Sequence, residues 1–152
     1  MIWVDDLKNP EGPVLLSDGS WVLVEMHPDR GWVLHLSADG KSRNVITQTG
    51  RPNGLTLDKH GMIWVAESVN PPALLRTDLS GNIETLLTGR DGDPLLFPND
   101  LAFGPDGALY MTDSGVLQPE WAPLTPEERS RVHPDGRLYR IDPTDLTIAK
   151  LD

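Results

Sequence analysis

Apolar residues in this chain come in short runs, and turn residues interrupt them about every ten positions. The runs at 21–25 (WVLVE), 32–36 (WVLHL), 63–67 (IWVAE) and 109–112 (LYMT) are too short for helices and rich in β-branched and aromatic residues. That pattern predicts strands. Read in order, it predicts strands at 2–4, 14–16, 21–25, 32–36 and 44–47, then at 54–57, 63–67, 73–77 and 83–87. A last group follows at 100–103, 109–112, 138–141 and 147–150. Turn residues such as Asp18-Gly19, Asp39-Gly40, Gly81-Asn82 and Asp106-Gly107 separate the partners, which is a hairpin signal. The runs at 21–24 and 63–66 are apolar at consecutive positions rather than alternate ones. A strand covered on both faces requires that.

The strands fall into a repeat. Residues 9–26 read NPEGPVLLSDGSWVLVEM, residues 51–68 read RPNGLTLDKHGMIWVAES, and residues 97–114 read FPNDLAFGPDGALYMTDS. Aligned on Gly19, Gly61 and Gly107, they place Pro10, Pro52 and Pro98 at one position, and Glu11, Asn53 and Asn99 at the next. Glu25, Glu67 and Asp113 share a third position. The turn glycines stand 42 and then 46 residues apart. Four strands in such a period is the mark of propeller blades. The expected fold is therefore all-β: one partial β-propeller domain over 1–152, with blades at roughly 11–50, 51–96 and 97–152. The competing architecture is a β-sandwich, whose strands would alternate more strictly. Trp3, Trp21, Trp32 and Trp64 fall in strands and are expected between blades. Residues 115–135 interrupt the third repeat, as a lid or as a surface excursion. Within it Thr125-Pro126-Glu127-Glu128 predicts a helix over 126–131: a hydroxyl cap, a first-position proline and early acids.

Composition narrows the chemistry. The chain has 152 residues, no Cys and a formal net charge of −10. Thiolate metal sites and disulfides are excluded, and a reducing compartment suits the chain. The acidic balance argues against nucleic acid and anionic membrane as partners. No apolar run is long enough to cross a membrane and no basic-then-apolar leader opens the chain, so a cytoplasmic location is expected.

Counted across unbulged hairpins, Glu11 faces Glu25, Asn53 faces Glu67 and Asn99 faces Asp113. In a propeller the first strand of each blade lines the channel, so Glu11, Asn53 and Asn99 are expected at one mouth. Facing carboxylates repel unless a cation relieves them, and a carboxylate with amide carbonyls is a set of hard oxygen donors. The competing reading is that these residues only shape the loops leading into the strands. His27, His35, His60 and His133 share no metal-ligand spacing. Ser114 lacks a G-x-S-x-G context and is not read as a nucleophile.

Residues 10–14 (PEGPV), residues 51–54 (RPNG) and residues 97–114, in that order, resemble the senescence marker protein (regucalcin)–gluconolactonase family. Paraoxonases and strictosidine-synthase-like propellers are more distant in resemblance. The resemblance runs from about Leu7 to the last residue and implies the N-terminal half of a six-bladed propeller. It implies one divalent cation in the channel, with calcium as first choice and zinc, manganese or magnesium as alternatives, and hydrolysis of sugar lactones or related esters. Carried over residue by residue, it implies Glu11 and Asn99 as metal ligands and Arg51 and Asn53 as substrate contacts. Asn53 would also come near the cation. The family's further metal-binding Asp, thought to act as base, belongs to a later blade and has no match here, so the catalytic residue is left unassigned. The expectation is a metal-dependent lactonase whose base lies beyond residue 152. The alternatives are a non-catalytic propeller that binds a cation or small ligand, and a truncated, inactive fragment. A homodimer that closes the propeller is also expected, because Trp21, Leu23, Leu109 and Met111 are read as lying on uncovered outer faces.

Overall fold

The computed structural model describes residues 4–90 and 92–151. The strand predicted at 2–4, and Trp3 with it, fall outside the described residues except for Val4. The rest forms three four-stranded antiparallel meanders, each pairing its strands in chain order. The first comprises β1 (Pro10–Leu15), β2 (Trp21–Glu25), β3 (Trp32–Leu36) and β4 (Arg43–Gln48). The second comprises β5 (Pro52–Leu57), β6 (Ile63–Glu67), β7 (Ala73–Thr77) and β8 (Ile83–Leu87). A two-stranded ribbon that the sequence pattern did not predict follows, β9 (Gly89–Arg90) with β10 (Asp93–Pro94). The third meander has β11 (Pro98–Phe103) and β12 (Leu109–Asp113). Two short helices then intervene, α1 (Gln118–Trp121) and α2 (Pro126–Arg129), before β13 (Arg137–Ile141) and β14 (Ile148–Leu151). The helix expected at 126–131 is the shorter α2, and its cap is a full capping box between Thr125 and Glu128. These are propeller blades, and the chain is all-β apart from the insertion.

The turns are set by one device. An Asp carboxylate accepts the backbone N–H two residues on, as in Asp18 to Ser20 at 2.9 Å, Asp58 to His60 at 2.8 Å and Asp78 to Ser80 at 2.8 Å. The same bond recurs at Asp39, Asp106 and Asp142. This local ring tightens a hairpin before any long-range contact exists.

Between blades the core alternates as the continuous apolar strands require. Ile63 and Val65 of β6 pack with Val22, Val24 and Val33 of the first blade. Trp64 and Ala66, one residue on in each case, pack with Leu101, Leu109, Met111 and Tyr139 of the third. A strand with both faces covered has no polar side. Inner strands meet backbone to backbone: a Cβ at Gly12 would stand 2.8 Å from the nitrogen of Leu55.

Two expectations need correction. Leu109 and Met111 are fully buried against the second blade, and Leu23 is only 5% exposed. The outer face of the first blade is covered by residues 4–9: Val4 and Leu7 lie on Leu23, Leu34 and Leu36, beside Trp21 and Trp32. Arg30 and Arg43 hold that segment by donating to the Asp6 carbonyl, and Arg43 also to that of Asp5. Trp21 and Trp32 therefore pack with Val4 and Leu7 on the face of the first blade turned away from the second. Of the four residues read as uncovered, Leu23, Leu109 and Met111 are buried and Trp21 is part-buried. Among the described residues, the exposed large hydrophobics of the third blade are Leu138 and Leu151.

The second correction is register. Glu25 pairs with Pro10, Glu67 with Pro52 and Asp113 with Pro98, not with Glu11, Asn53 and Asn99. Each first strand then bulges: between Glu11 and Val14, between Pro52 and Leu55, and between Pro98 and Leu101. A bulge adds a residue on one strand and re-aims the side chains it carries. The facing-carboxylate repulsion between Glu11 and Glu25 is thereby removed, and with it that argument for a cation.

Candidate functional site

The bulge divides the repeated positions into two jobs. The acids turn inward. Glu67, 3% exposed, accepts the backbone N–H groups of Gly50 (3.1 Å), Arg51 (2.7 Å) and Val69 (2.9 Å). Asp113, 2% exposed, accepts those of Leu96 (2.8 Å), Phe97 (3.0 Å) and Gly115 (2.8 Å). Glu25 is buried too and accepts the Lys8 N–H and the Arg30 guanidinium. A carboxylate offers about four lone-pair sites, so one acid can fasten the segment before a blade to the segment after its second strand. These acids are clasps. They hold the backbone that carries Arg51 and Phe97.

The residues after each Pro turn the other way. Glu11, Asn53 and Asn99, one from each first strand, line a single cavity of about 300 Å³ together with Arg51, Met26, Phe97 and Asp100. Asn53 and Asn99 are bulge residues, which is why they face the channel mouth rather than a strand partner. Asn53 is 7% exposed, whereas Glu11 and Asp100 are exposed. The structure thus brings all four residues singled out from the sequence to one cavity.

Arg51 is the most constrained of them. Its guanidinium carbon lies 5.1 Å from the centre of the Phe97 ring, a cation–π contact. Its Nη1 is buried and has no hydrogen-bond partner. Burial pushes its pKa down, and the nearby Glu67 carboxylate opposes that. An arginine remains charged regardless, so Nη1 is a buried charged donor without an acceptor, in a residue that lines the cavity. Such an atom suits an oxygen of a bound ligand.

The donor set fits a hard cation. Glu11 supplies a carboxylate, and Asn53 and Asn99 supply amide carbonyls, the oxygen mixture calcium accepts. Among the described residues no group of three or more His, Cys, Asp or Glu converges on one point. A cation here would therefore take amide and water oxygens beside Glu11.

Sequence reasoning missed three contributors. Phe97 sits one residue before the motif's proline and stacks on Arg51. Ser68 and Ser114 each follow a clasp acid: the Ser68 hydroxyl donates to the Pro98 carbonyl at 2.9 Å, and Ser114 accepts from Asn99. The repeated acid-serine pair at 67–68 and 113–114 was the available signal. Trp121 stacks on Arg129 inside the insertion.

Comparison with known proteins follows the same lines. Over 155 aligned residues the chain is 26% identical to the gluconolactonase of Zymomonas mobilis, an alignment spanning 90% of this chain and 43% of that protein. A solved gluconolactonase from Xanthomonas campestris superposes with a TM-score of 0.75 at 24% identity, covering 97% of this chain and 48% of the other. Gluconolactonases are its relatives by sequence and by fold. Protein strictosidine synthase-like 3 of Arabidopsis thaliana matches a shorter stretch, 37% identical over 67 residues, 43% of this chain and 17% of that protein. The chain spans about half the length of the gluconolactonases it matches. No protein-family model matches it. No helix among the described residues is long and apolar enough to cross a membrane.

Proposed function

We propose that the mouth formed by Glu11, Arg51, Asn53 and Asn99 is the cation- and substrate-binding part of a lactone hydrolase acting on sugar lactones or related esters. The observation that carries the reading is the convergence of these four side chains on one cavity, in a chain whose relatives are gluconolactonases. Glu11 and Asn99 would hold a divalent cation, with Asn53 beside them. A divalent cation held there would supply Lewis acidity toward a lactone carbonyl and a bound water. Arg51 Nη1, which lacks an acceptor, donates to a ring or hydroxyl oxygen of the substrate. Phe97 keeps the guanidinium at the wall of the cavity.

One observation favours a second reading, ligand binding without turnover. Three of the acids at this end, Glu25, Glu67 and Asp113, are buried as clasps. Among the described residues the carboxylates on the cavity are Glu11 and Asp100, and one of them is assigned to the cation.

The test pairs calorimetry with pH-stat assay of aldonolactones in added Ca²⁺, Mn²⁺ or Zn²⁺. Lactone binding that needs the cation and is lost in Arg51→Ala is the expected result. Acid release above the spontaneous rate identifies the hydrolase, and binding without release identifies the second reading. A chain that binds neither cation nor lactone overturns both.

A further inference from the structure

We infer that Ser114 is a positioning residue, holding the Asn99 amide with its Nδ2 turned away from the mouth and its Oδ1 facing it. Asn99 Nδ2 lies 3.1 Å from Ser114 Oγ. Ser114 is itself fixed. Its backbone N–H donates to the Phe97 carbonyl at 2.9 Å. The Asp113 carboxylate grips Phe97 and Gly115 on either side of that contact. Asn99 is the common wall of two cavities: the mouth, and a shallow one on the free face of the third blade lined by Thr112, Asp113 and Ser114. Ser114 lines only the second. An amide tied through nitrogen to Ser114 therefore presents its oxygen to the mouth.

A hydroxyl can serve either end of an amide, so the mouth side makes the choice. Arg51, whose Nη1 is a buried donor with no acceptor, lines the same cavity as Asn99. An amide nitrogen facing it would set donor against donor. An oxygen facing it is the favourable arrangement, and the same oxygen suits a cation. The device belongs to the third repeat alone. At the matching position of the second blade the Ser68 hydroxyl donates to the Pro98 carbonyl, and the first blade has Met26 there. Ser68 thus steadies the residue before Asn99 while Ser114 sets the amide.

The consequence for cation affinity rests on the function proposed above; the amide orientation does not. Two measurements keep them apart. In the isotopically labelled chain, the Asn99 side-chain NH₂ resonances should move and lose protection from exchange in Ser114→Ala and be restored in Ser114→Thr. Ca²⁺ titration should show Ser114→Ala weaker by about tenfold or more, the scale of losing a group that orients a metal ligand, with Ser114→Thr close to the parent. Unchanged Asn99 resonances in Ser114→Ala overturn the inference, as does parental Ca²⁺ affinity in that variant. If the parent chain binds no Ca²⁺, the cation reading falls and the resonances alone decide: a shift in Ser114→Ala but not in Ser114→Thr upholds the orientation, and no shift refutes it.

Discussion

Gly54 lies against Asp100 with no room for a side chain between them: a Cβ on Gly54 would stand 2.3 Å from Asp100 Oδ1 and 2.7 Å from its Cα. The contact joins the bulges of the second and third first strands, so it sets the spacing of Asn53 and Asn99 across the mouth. Gly54→Ala should therefore lose about 1–3 kcal/mol of stability, the usual range for overpacking, and also weaken binding at the mouth. Gly61→Ala is the control. Gly61 has φ +80° and nothing within 4 Å of a built Cβ. It should lose about 1–2 kcal/mol from left-handed backbone strain and leave the mouth unaffected. Chemical denaturation and ligand titration on both variants separate the two effects.

The clasp acids should behave as structural groups. Glu67→Gln and Asp113→Asn each replace a buried acceptor of three N–H groups with an amide whose nitrogen cannot accept. The expected loss is about 1–3 kcal/mol for each backbone donor left unpaired. Urea unfolding followed by tryptophan fluorescence reads it. In the folded fraction of Glu67→Gln, ligand affinity should stay near that of the parent.

The mouth residues should show the reverse. Glu11 is exposed and Asn99 part-exposed, so Glu11→Gln and Asn99→Ala should leave the unfolding midpoint nearly unchanged. Both should weaken divalent-cation binding far more than Glu67→Gln does. Calorimetric titration with Ca²⁺, Mn²⁺ and Zn²⁺ checks it, and equal affinities across the three variants would remove Glu11 and Asn99 from the site.

Acid should unfold the chain through its turns. Burial raises the Asp58 pKa, but bonds from the Trp64 indole and from the His60 and Met62 N–H groups outweigh it and hold the carboxyl below its ordinary value. Hydrogen bonds from Ser20 and Asn82 likewise depress Asp18 and Asp78. A carboxyl depressed in the folded state stabilises it above the unfolded pKa, and that contribution fades as pH falls through the folded one. Stability should thus be level near neutrality and decline below about pH 4. Asp58→Asn should flatten that decline, as measured by denaturant midpoints from pH 6 to pH 2.

The blade count and strand order were legible because each strand carries its own boundaries. Asp-Gly turns punctuate the chain, and runs such as 63–66 are apolar on both faces because both are covered. The site residues were legible as types repeated at one position, but their partners were not. Nothing in PEGPV or PNG announces a bulge, since the added residue is set by how closely neighbouring first strands approach at Gly12 and Gly54. Without it, counting put Glu11 opposite Glu25 when Pro10 is there. The cover that residues 4–9 give the first blade was hidden for a similar reason, because Val4 closes a run read as a separate strand and Leu7 belongs to no run.

Every sheet here is a meander whose strands pair only with their neighbours in sequence, and each clasp acid ties the lead-in of its own blade. A ribosome releasing this chain would therefore never expose a strand waiting for a distant partner. Each blade can close its ladder as soon as its fourth strand emerges, and loop-closure entropy stays small at every step. What remains for later is lateral docking of one finished blade on the last, through glycine backbones and the alternate faces of β6. Assembly of the mouth is then the final event, since Glu11, Asn53 and Asn99 come from three separately completed blades.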